Sequence, residues 1–183
     1  MSHIIIVTGS ARPTSIAAKV LPVIEEVLSR TDSVEVSVVN VLDLELPFYN
    51  SVVPASHDDF APSDEHVKAW TQKVAAADGV ILITPEYNGN VTAIQKNSID
   101  WIYKEWNDKP VALIGYGWYE ESRAQAAAKI SLNVVKAKIV EPFTQLQFMK
   151  DIGVDGTVID AAATENKLAA TITAFVAALP TAS

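Results

Sequence analysis

Three short, uninterrupted apolar runs constrain the fold of this chain more than any other feature. They occupy residues 4–7, 80–83 and 111–114 and contain only Ile, Val, Leu and Ala. Strands that are apolar on both faces are typical of parallel sheets that helices cover on each side. Segments with apolar residues at helical spacing follow these runs, so strands and helices alternate along the chain. The pattern predicts an α/β fold.

Two further strands and five helices complete the predicted alternation. Residues 34–39 alternate before they become fully apolar, and a fifth strand is expected within residues 138–148, where Pro142 leaves its register open. Helices are expected near residues 17–28, 63–77, 94–106, 122–135 and 161–179, the second with Ser63 as its cap. Residues 1–183 are therefore predicted to form a single domain, a three-layer, doubly wound sheet of five parallel strands in the order 2-1-3-4-5.

Three polar loops follow the first, third and fourth predicted strands, at residues 8–15, 85–90 and 115–119. In open parallel sheets, ligands bind beyond the carboxyl ends of the strands, at the point where the strand order reverses. The order 2-1-3-4-5 brings all three loops to that edge. We therefore expect them to form one ligand site.

The first loop has the composition of a phosphate site. It joins a buried strand to the start of a helix, where backbone N–H groups lack helical partners and the helix dipole is positive. Ser10 and Ser15 add hydroxyl groups, and Arg12 adds a guanidinium that matches the oxygens of a phosphate monoester. Gly9 permits the backbone angles of a tight turn.

Two alternatives to a phosphate site remain open at this point. Ser, Thr and Gly also favour ordinary capped helix starts. Arg12 could stay a solvated surface charge or pair with Asp43 or Glu86. Two kinds of nucleotide loop are disfavoured, because the loop lacks the Gly-Lys-Ser/Thr ending of ATPases and Gly9 is its only glycine, whereas a dinucleotide fingerprint needs three.

The second and third loops carry groups that suit a flat, polar ring system. The third loop places Tyr116 and Gly117 among further aromatic residues. The second loop offers backbone amides, a carboxylate, a phenol and a carboxamide, although Pro and Asn also favour a plain turn there. Its candidate residues are Pro85, Glu86, Tyr87, Asn88 and Gly89. A phosphate site beside such groups suits a mononucleotide such as FMN.

Composition disfavours several other classes of function. The 14 Lys and Arg residues against 22 Asp and Glu residues give a net charge of -8, which argues against nucleic-acid and anionic-membrane partners. No cysteine is present, and His3, His57 and His66 show no metal-ligand spacing, so neither a thiol nucleophile nor a metal site is expected. No apolar run approaches the ~20 residues of a membrane span. We expect a cytoplasmic protein.

The loop sequences resemble a known family. Residues 9–15, Gly-Ser-Ala-Arg-Pro-Thr-Ser, resemble the Gly-Ser-x-Arg-x-x-Ser phosphate loop of the NADPH-dependent FMN reductases. Residues 85–88, Pro-Glu-Tyr-Asn, and 96–101, Lys-Asn-Ser-Ile-Asp-Trp, resemble the second signature of that family. Residues 43–47 are similar to its connection after the second strand, and the likeness extends over essentially the whole chain.

The resemblance implies a flavodoxin-like fold and an FMN-dependent NAD(P)H oxidoreductase. Ser10, Arg12, Ser15 and the amide of Ile16 would hold the FMN phosphate, and residues 85–89 would line the isoalloxazine ring. Tyr116 and Gly117 would add to the cofactor site. NADPH or NADH would supply hydride, and a quinone, azo compound, free flavin or metal oxyanion would accept the electrons. No catalytic side chain is required, because the cofactor carries the chemistry.

Departures from the family pattern and other functions on the same fold leave alternatives. Thr92 and Ala93 stand where the family commonly has Pro-Gly, and Gln95 stands where it has an apolar residue, and these departures bear on the shape of the acceptor pocket more than on FMN binding. A flavodoxin-type electron carrier or a flavin-free binding module would use the same fold.

The family is usually dimeric or tetrameric, so a homodimer or homotetramer is expected. Residues 101–106 contain Trp101, Ile102, Tyr103 and Trp106, which is more aromatic surface than one helix face usually buries inside a monomer. The alternative is that these side chains pack on the sheet.

Overall fold

Five parallel strands form the centre of the computed structural model, which describes residues 1–31, 34–120 and 122–180. The strands are β1 (Ser2–Thr8), β2 (Val34–Asn40), β3 (Gly79–Pro85), β4 (Pro110–Gly117) and β5 (Lys138–Gln147). Their order is β2-β1-β3-β4-β5, and every neighbouring pair is parallel. The predicted fold class and strand order are confirmed.

Helices cover both faces of the sheet. They are α1 (Ala17–Ser29), α2 (Glu65–Ala76), α3 (Ala93–Asp100), α4 (Arg123–Val134) and α5 (Ala161–Ala178). Helices α1 and α5 pack on one face, and α2, α3 and α4 pack on the other. None of these helices is long and apolar enough to cross a membrane.

The apolar runs explain the two cores. In β1, Ile4 and Ile6 face α1 and α5, whereas Ile5 and Val7 face the opposite helices, and all four are buried. Alternating side chains on a strand point to opposite faces. A run that is apolar at every position is therefore the pattern that a central strand needs, because both of its faces are covered.

Two predicted helix boundaries are wrong. Asp64 caps α2 in place of Ser63, and its carboxylate accepts hydrogen bonds from the N–H groups of His66 and Val67. Ser and Asp are both good caps, so preference alone does not separate neighbouring candidates. The helix expected over 94–106 ends at Asp100, and a separate 3₁₀ turn spans Lys104–Trp106.

The predicted third loop also begins too early. Residues 115–117 continue β4, where Tyr116 pairs with Pro85 of β3 and Gly117 pairs with Gln147 of β5. The position of β5 agrees with the expected range, and its pairing with β4 shifts register between Ala112 and Ile114. The side chain of Tyr116 therefore points to one defined face of the sheet, as that of any strand residue does.

The aromatic residues after α3 belong to the core of the chain. Trp101 is 4% exposed, and Ile102 and Trp106 are almost fully buried. Trp106 packs edge-on against Trp70 of α2, with the ring centroids 6.3 Å apart. The expectation that these side chains form a subunit interface is wrong, because the chain itself covers them.

Candidate functional site

The three predicted loops meet in one cleft at the carboxyl edge of the sheet. The cleft has a cavity volume of about 150 Å³. Eight of the predicted site residues line it, and Ser15, Asn88 and Gly89 lie outside its lining. The lining residues are Ser10, Arg12, Thr14, Ile16, Pro85, Glu86, Tyr87, Tyr116, Gly117, Trp118 and Phe148.

The start of α1 forms one end of the cleft. The helix begins at Ala17, and Ile16 at its N-cap makes no side-chain capping hydrogen bond. The oxygen Oγ of Ser15 is buried without a hydrogen-bond partner in the described part of the chain. Buried polar groups are normally paired. The uncapped helix start disagrees with the ordinary capping alternative and fits a phosphate group as the partner.

Ser10 connects the first loop to the second. Its oxygen Oγ accepts a hydrogen bond from the N–H of Arg12 at 3.3 Å and lies 3.2 Å from the hydroxyl of Tyr87. The N–H of Gly9 donates to the carbonyl of Ile83 at 2.9 Å, so the first loop leaves the sheet only after Gly9. The two loops are therefore held together near the start of α1.

Gly9 is required by packing and not by its backbone angles. A Cβ atom at this position would lie 2.4 Å from Cδ of Gln95 in α3, and Gly9 does not adopt a positive φ. Gln95 is 1% exposed, and neither atom of its carboxamide has a hydrogen-bond partner among the described residues. The carboxamide of Gln95 in α3 thus packs against the first loop without a hydrogen-bond partner among the described residues.

Arg12 is available to a ligand. Its side chain is exposed, and the ion pairs of the described residues do not include it. The carboxylate of Glu86 accepts hydrogen bonds from the N–H groups of Arg123 at 2.8 Å and Ala124 at 3.3 Å. Glu86 is thus engaged at the start of α4 and does not pair with Arg12.

The second loop turns tightly at two residues with positive φ. Asn88 has φ 53° and Gly89 has φ 76°, and Tyr87 and Asn90 exchange two backbone hydrogen bonds across them. Asn-Gly is the preferred pair for such a two-residue turn. These two residues therefore have a backbone role, which explains why their side chains lie outside the cleft lining.

Tyr116 extends from β4 toward the start of α1. Its side chain is 5% exposed, and burial raises the pKa of its phenol to about 12, with a smaller contribution from Tyr87. The hydroxyls of Ser10 and Ser15 and the amide of Ala17 act on this pKa in the opposite direction. The phenol of Tyr116 is consequently neutral at physiological pH and lies against the start of α1.

Two aromatic residues that were not among the predicted site residues form the outer wall of the cleft. Trp118 is 59% exposed, and its ring packs edge-on against Phe148, with centroids 5.2 Å apart. The rings of Phe148 and Tyr116 also pack edge-on, with their centroids 6.3 Å apart. Phe148 follows directly after β5, whose register the sequence left open, so its place at this edge could not be assigned.

These features fit FMN as the occupant. The uncapped start of α1, the unpaired hydroxyl of Ser15 and the free guanidinium of Arg12 form a set of donors for a phosphate. The carboxyl ends of β3 and β4 supply backbone groups and aromatic walls for a ring.

Comparison with known proteins agrees with this site. The family model for NADPH-dependent FMN reductase matches residues 2–148, which include the whole cleft lining. The NAD(P)H-dependent FMN reductase of Nectria sp. is 34% identical over 146 residues, covering 78% of this chain and 73% of the relative. The corresponding enzyme of Schizosaccharomyces pombe is 30% identical over 156 residues, covering 85% and 78%.

A solved structure supports the same assignment. The flavoenzyme NAD(P)H:(acceptor) oxidoreductase of Paracoccus denitrificans is 25% identical, with a TM-score of 0.76 and coverage of 98% of this chain and 100% of that one. These matches confirm the predicted FMN cofactor, the NAD(P)H electron donor and the oxidoreductase class. They establish that this chain belongs to the NADPH-dependent FMN reductase family.

Proposed function

We propose that this protein uses the cleft to bind FMN and passes electrons from NAD(P)H to a flat aromatic acceptor, such as a quinone or an azo compound. Bound FMN supplies the redox chemistry by taking up hydride and releasing electrons to a second substrate. The observation that carries the proposal is the cleft itself, where an uncapped helix start and an exposed aromatic wall meet.

The first loop holds the phosphate in this proposal. Ser10 and Ser15 donate from their hydroxyls, Ile16 donates from its backbone N–H, and Arg12 adds the positive charge. A charge-assisted hydrogen bond contributes roughly 1.5–3 kcal/mol, so these groups together fix the anionic end of the cofactor. The guanidinium of Arg12 is exposed, so solvent screening places its contribution near the lower limit.

The second loop and β4 line the ring. Pro85 and Glu86 contribute the strand end, and Tyr87, Asn88 and Gly89 contribute the turn. Glu86 anchors this turn to the N-terminus of α4 and keeps its backbone N–H groups in place. Gly117 lies beside them in β4 and leaves room for the ring edge.

The aromatic wall favours an aromatic acceptor. Trp118 and Phe148 offer ring surface at the mouth of the cleft, and stacked or edge-on aromatic pairs contribute about 0.5–1.5 kcal/mol beyond their buried area. A metal oxyanion gains nothing from such a wall.

Two relatives, each matched over part of its length, support a quinone or azo compound as the acceptor. The 2-hydroxy-1,4-benzoquinone reductase of Burkholderia sp. is 36% identical over 75 residues, and the NADPH azoreductase of Bacillus sp. is 44% identical over 71 residues.

A homodimer, or a homotetramer built from it, is part of the proposal, with an interface different from the one that the sequence indicates. Phe48 is 79% exposed and Val52 is 99% exposed, although their segment is firmly held. The carbonyl of Pro47 accepts hydrogen bonds from Asn97 at 2.9 Å and Trp101 at 2.6 Å. An ordered apolar surface of this kind suits a second copy of the chain.

Light scattering tests the assembly. The double variant Phe48→Ser/Val52→Ser should lower the measured mass toward that of the 19.7 kDa monomer. A wild-type mass equal to that of the monomer at micromolar concentration would contradict the proposed dimer.

The use of NAD(P)H, a metabolite of the cell interior, favours a cytoplasmic location.

Anaerobic reduction tests the function. Protein loaded with FMN should lose its yellow colour when NADPH or NADH is added without any partner protein, and benzoquinone should restore the colour. A protein that takes up FMN but is not bleached would be an electron carrier instead. A protein that does not take up FMN would be a flavin-free binding module.

A further inference from the structure

We propose that Tyr116 is a phosphate ligand: its phenolic hydroxyl joins the first loop and donates a hydrogen bond to the FMN phosphate. The resemblance to the family assigns the phosphate to residues 10–16 and places Tyr116 in the cofactor site without a specific role. The inference rests on the proposed binding of FMN in this cleft and adds to it a donor from a different strand.

The direction of the side chain is the first argument. Alternate residues of a strand share one face of the sheet. In β4, Tyr116 shares the face of Ala112 and Ile114, which α1 and α5 cover. The phosphate end lies on that face, because α1 begins there. Tyr116 lines the cleft together with Ser10 and Ile16, and it packs in the same core cluster as Ala17, the first residue of α1.

The environment of the hydroxyl is the second argument. A buried phenol needs a polar partner, and the groups around this one belong to the proposed phosphate site. A phenolic hydroxyl carries one proton that it can donate to an anion. The neighbouring oxygen Oγ of Ser15 is buried and has no partner in the described part of the chain. Two hydroxyls from distant parts of the sequence thus share one place for an anion.

The protonation state suits this role. With a pKa of about 12, the phenol is protonated at physiological pH, where a phosphate monoester carries a charge of about −1.5 to −2. It is therefore a donor there and not a competing anion. A phosphate bound beside it would hold the proton more firmly still.

The variant Tyr116→Phe tests the inference, because it removes the hydroxyl and keeps the ring that packs on Phe148. The dissociation constants of FMN and riboflavin are measured by quenching of flavin fluorescence at one fixed salt concentration. We expect FMN binding to weaken about ten- to a hundredfold, as the loss of one hydrogen bond to a charged group predicts. Riboflavin binding should change less than about twofold, because riboflavin has no phosphate.

Tyr103→Phe is the matched control. It removes the hydroxyl of a tyrosine whose ring lies under Nζ of Lys136, 5.9 Å from the ring centroid, and which is outside the cleft lining. Both flavins should bind this variant as they bind the wild-type protein. The ³¹P NMR signal of bound FMN gives a second readout, and it should shift in Tyr116→Phe and remain unchanged in Tyr103→Phe.

The outcomes separate this inference from the proposed function. If Tyr116→Phe weakens both flavins equally, or neither, Tyr116 is a packing residue and the inference is wrong. If Arg12→Ala still weakens FMN selectively in that case, the phosphate loop stands and only the role of Tyr116 falls. If no variant in the cleft separates FMN from riboflavin, the proposed site falls as a whole.

Discussion

Replacing Gln95 with methionine should stabilise the flavin-free protein. Gln95 is 1% exposed, and its carboxamide has no hydrogen-bond partner among the described residues. An unsatisfied buried polar group costs about 1–3 kcal/mol, and methionine has nearly the same length and volume without that cost. We therefore expect the free energy of unfolding to rise by about 1–3 kcal/mol. For a chain of this size, each kcal/mol raises Tm by about 2–4 °C.

Gln125→Met is the control, and it should change the free energy of unfolding in the opposite direction. Gln125 is also buried, but its amide donates to the carbonyl oxygens of Leu113 at 3.2 Å and Thr144 at 2.8 Å. Loss of these two bonds, at about 0.5–1.5 kcal/mol each, should destabilise the protein by roughly 1–3 kcal/mol.

Urea unfolding of the three flavin-free proteins measures both effects at once. If Gln95→Met lowers the unfolding free energy as much as Gln125→Met does, the amide of Gln95 has a partner after all, for example a buried water. The reasoning from its unpaired amide would then be wrong.

Three further predictions concern the cleft. Trp118→Ala should raise KM for benzoquinone about two- to tenfold and leave KM for ferricyanide unchanged, whereas Tyr119→Ala, outside the cleft lining, should change neither. Glu86→Ala should lower the unfolding free energy by about 0.5–2 kcal/mol, measured in urea, because the start of α4 loses the carboxylate that caps it; a wild-type value would contradict the capping role. Raising the pH from 10 to 12 should cost the wild-type protein about 2 kcal/mol more than Tyr116→Phe, because the phenol ionises near 10 when unfolded but near 12 when folded; equal losses would contradict its burial.

Apolar patterning made the architecture predictable. A central strand must be apolar on both faces, so β1, β3 and β4 could be identified directly, and the buried stripe of α2 at Val67, Trp70 and Val74 follows from helical spacing. The strand order then brought the first and second loops together. These signals are local in sequence, and they depend on burial alone.

The parts that could not be predicted depend on contacts between distant residues. Glu86 looked like a ligand group, yet its partners are N–H groups of α4, 37 and 38 residues away. Tyr116 looked like a loop residue because polar and glycine residues surround it, although strand pairing continues through it. Trp106 looked like an interface residue because nothing in the local sequence reveals that Trp70 covers it. Only tertiary packing decides such cases.

The binding of FMN and riboflavin to Arg12→Ala tests the central claim most directly. The claim is that the first loop binds the phosphate of FMN, with Arg12 as its only side-chain cation. Because the guanidinium is exposed, we expect FMN binding to weaken about tenfold, near the lower limit for one charge-assisted hydrogen bond. Riboflavin binding should stay the same at one fixed salt concentration. An equal change for the two flavins, or no change for either, would contradict the account.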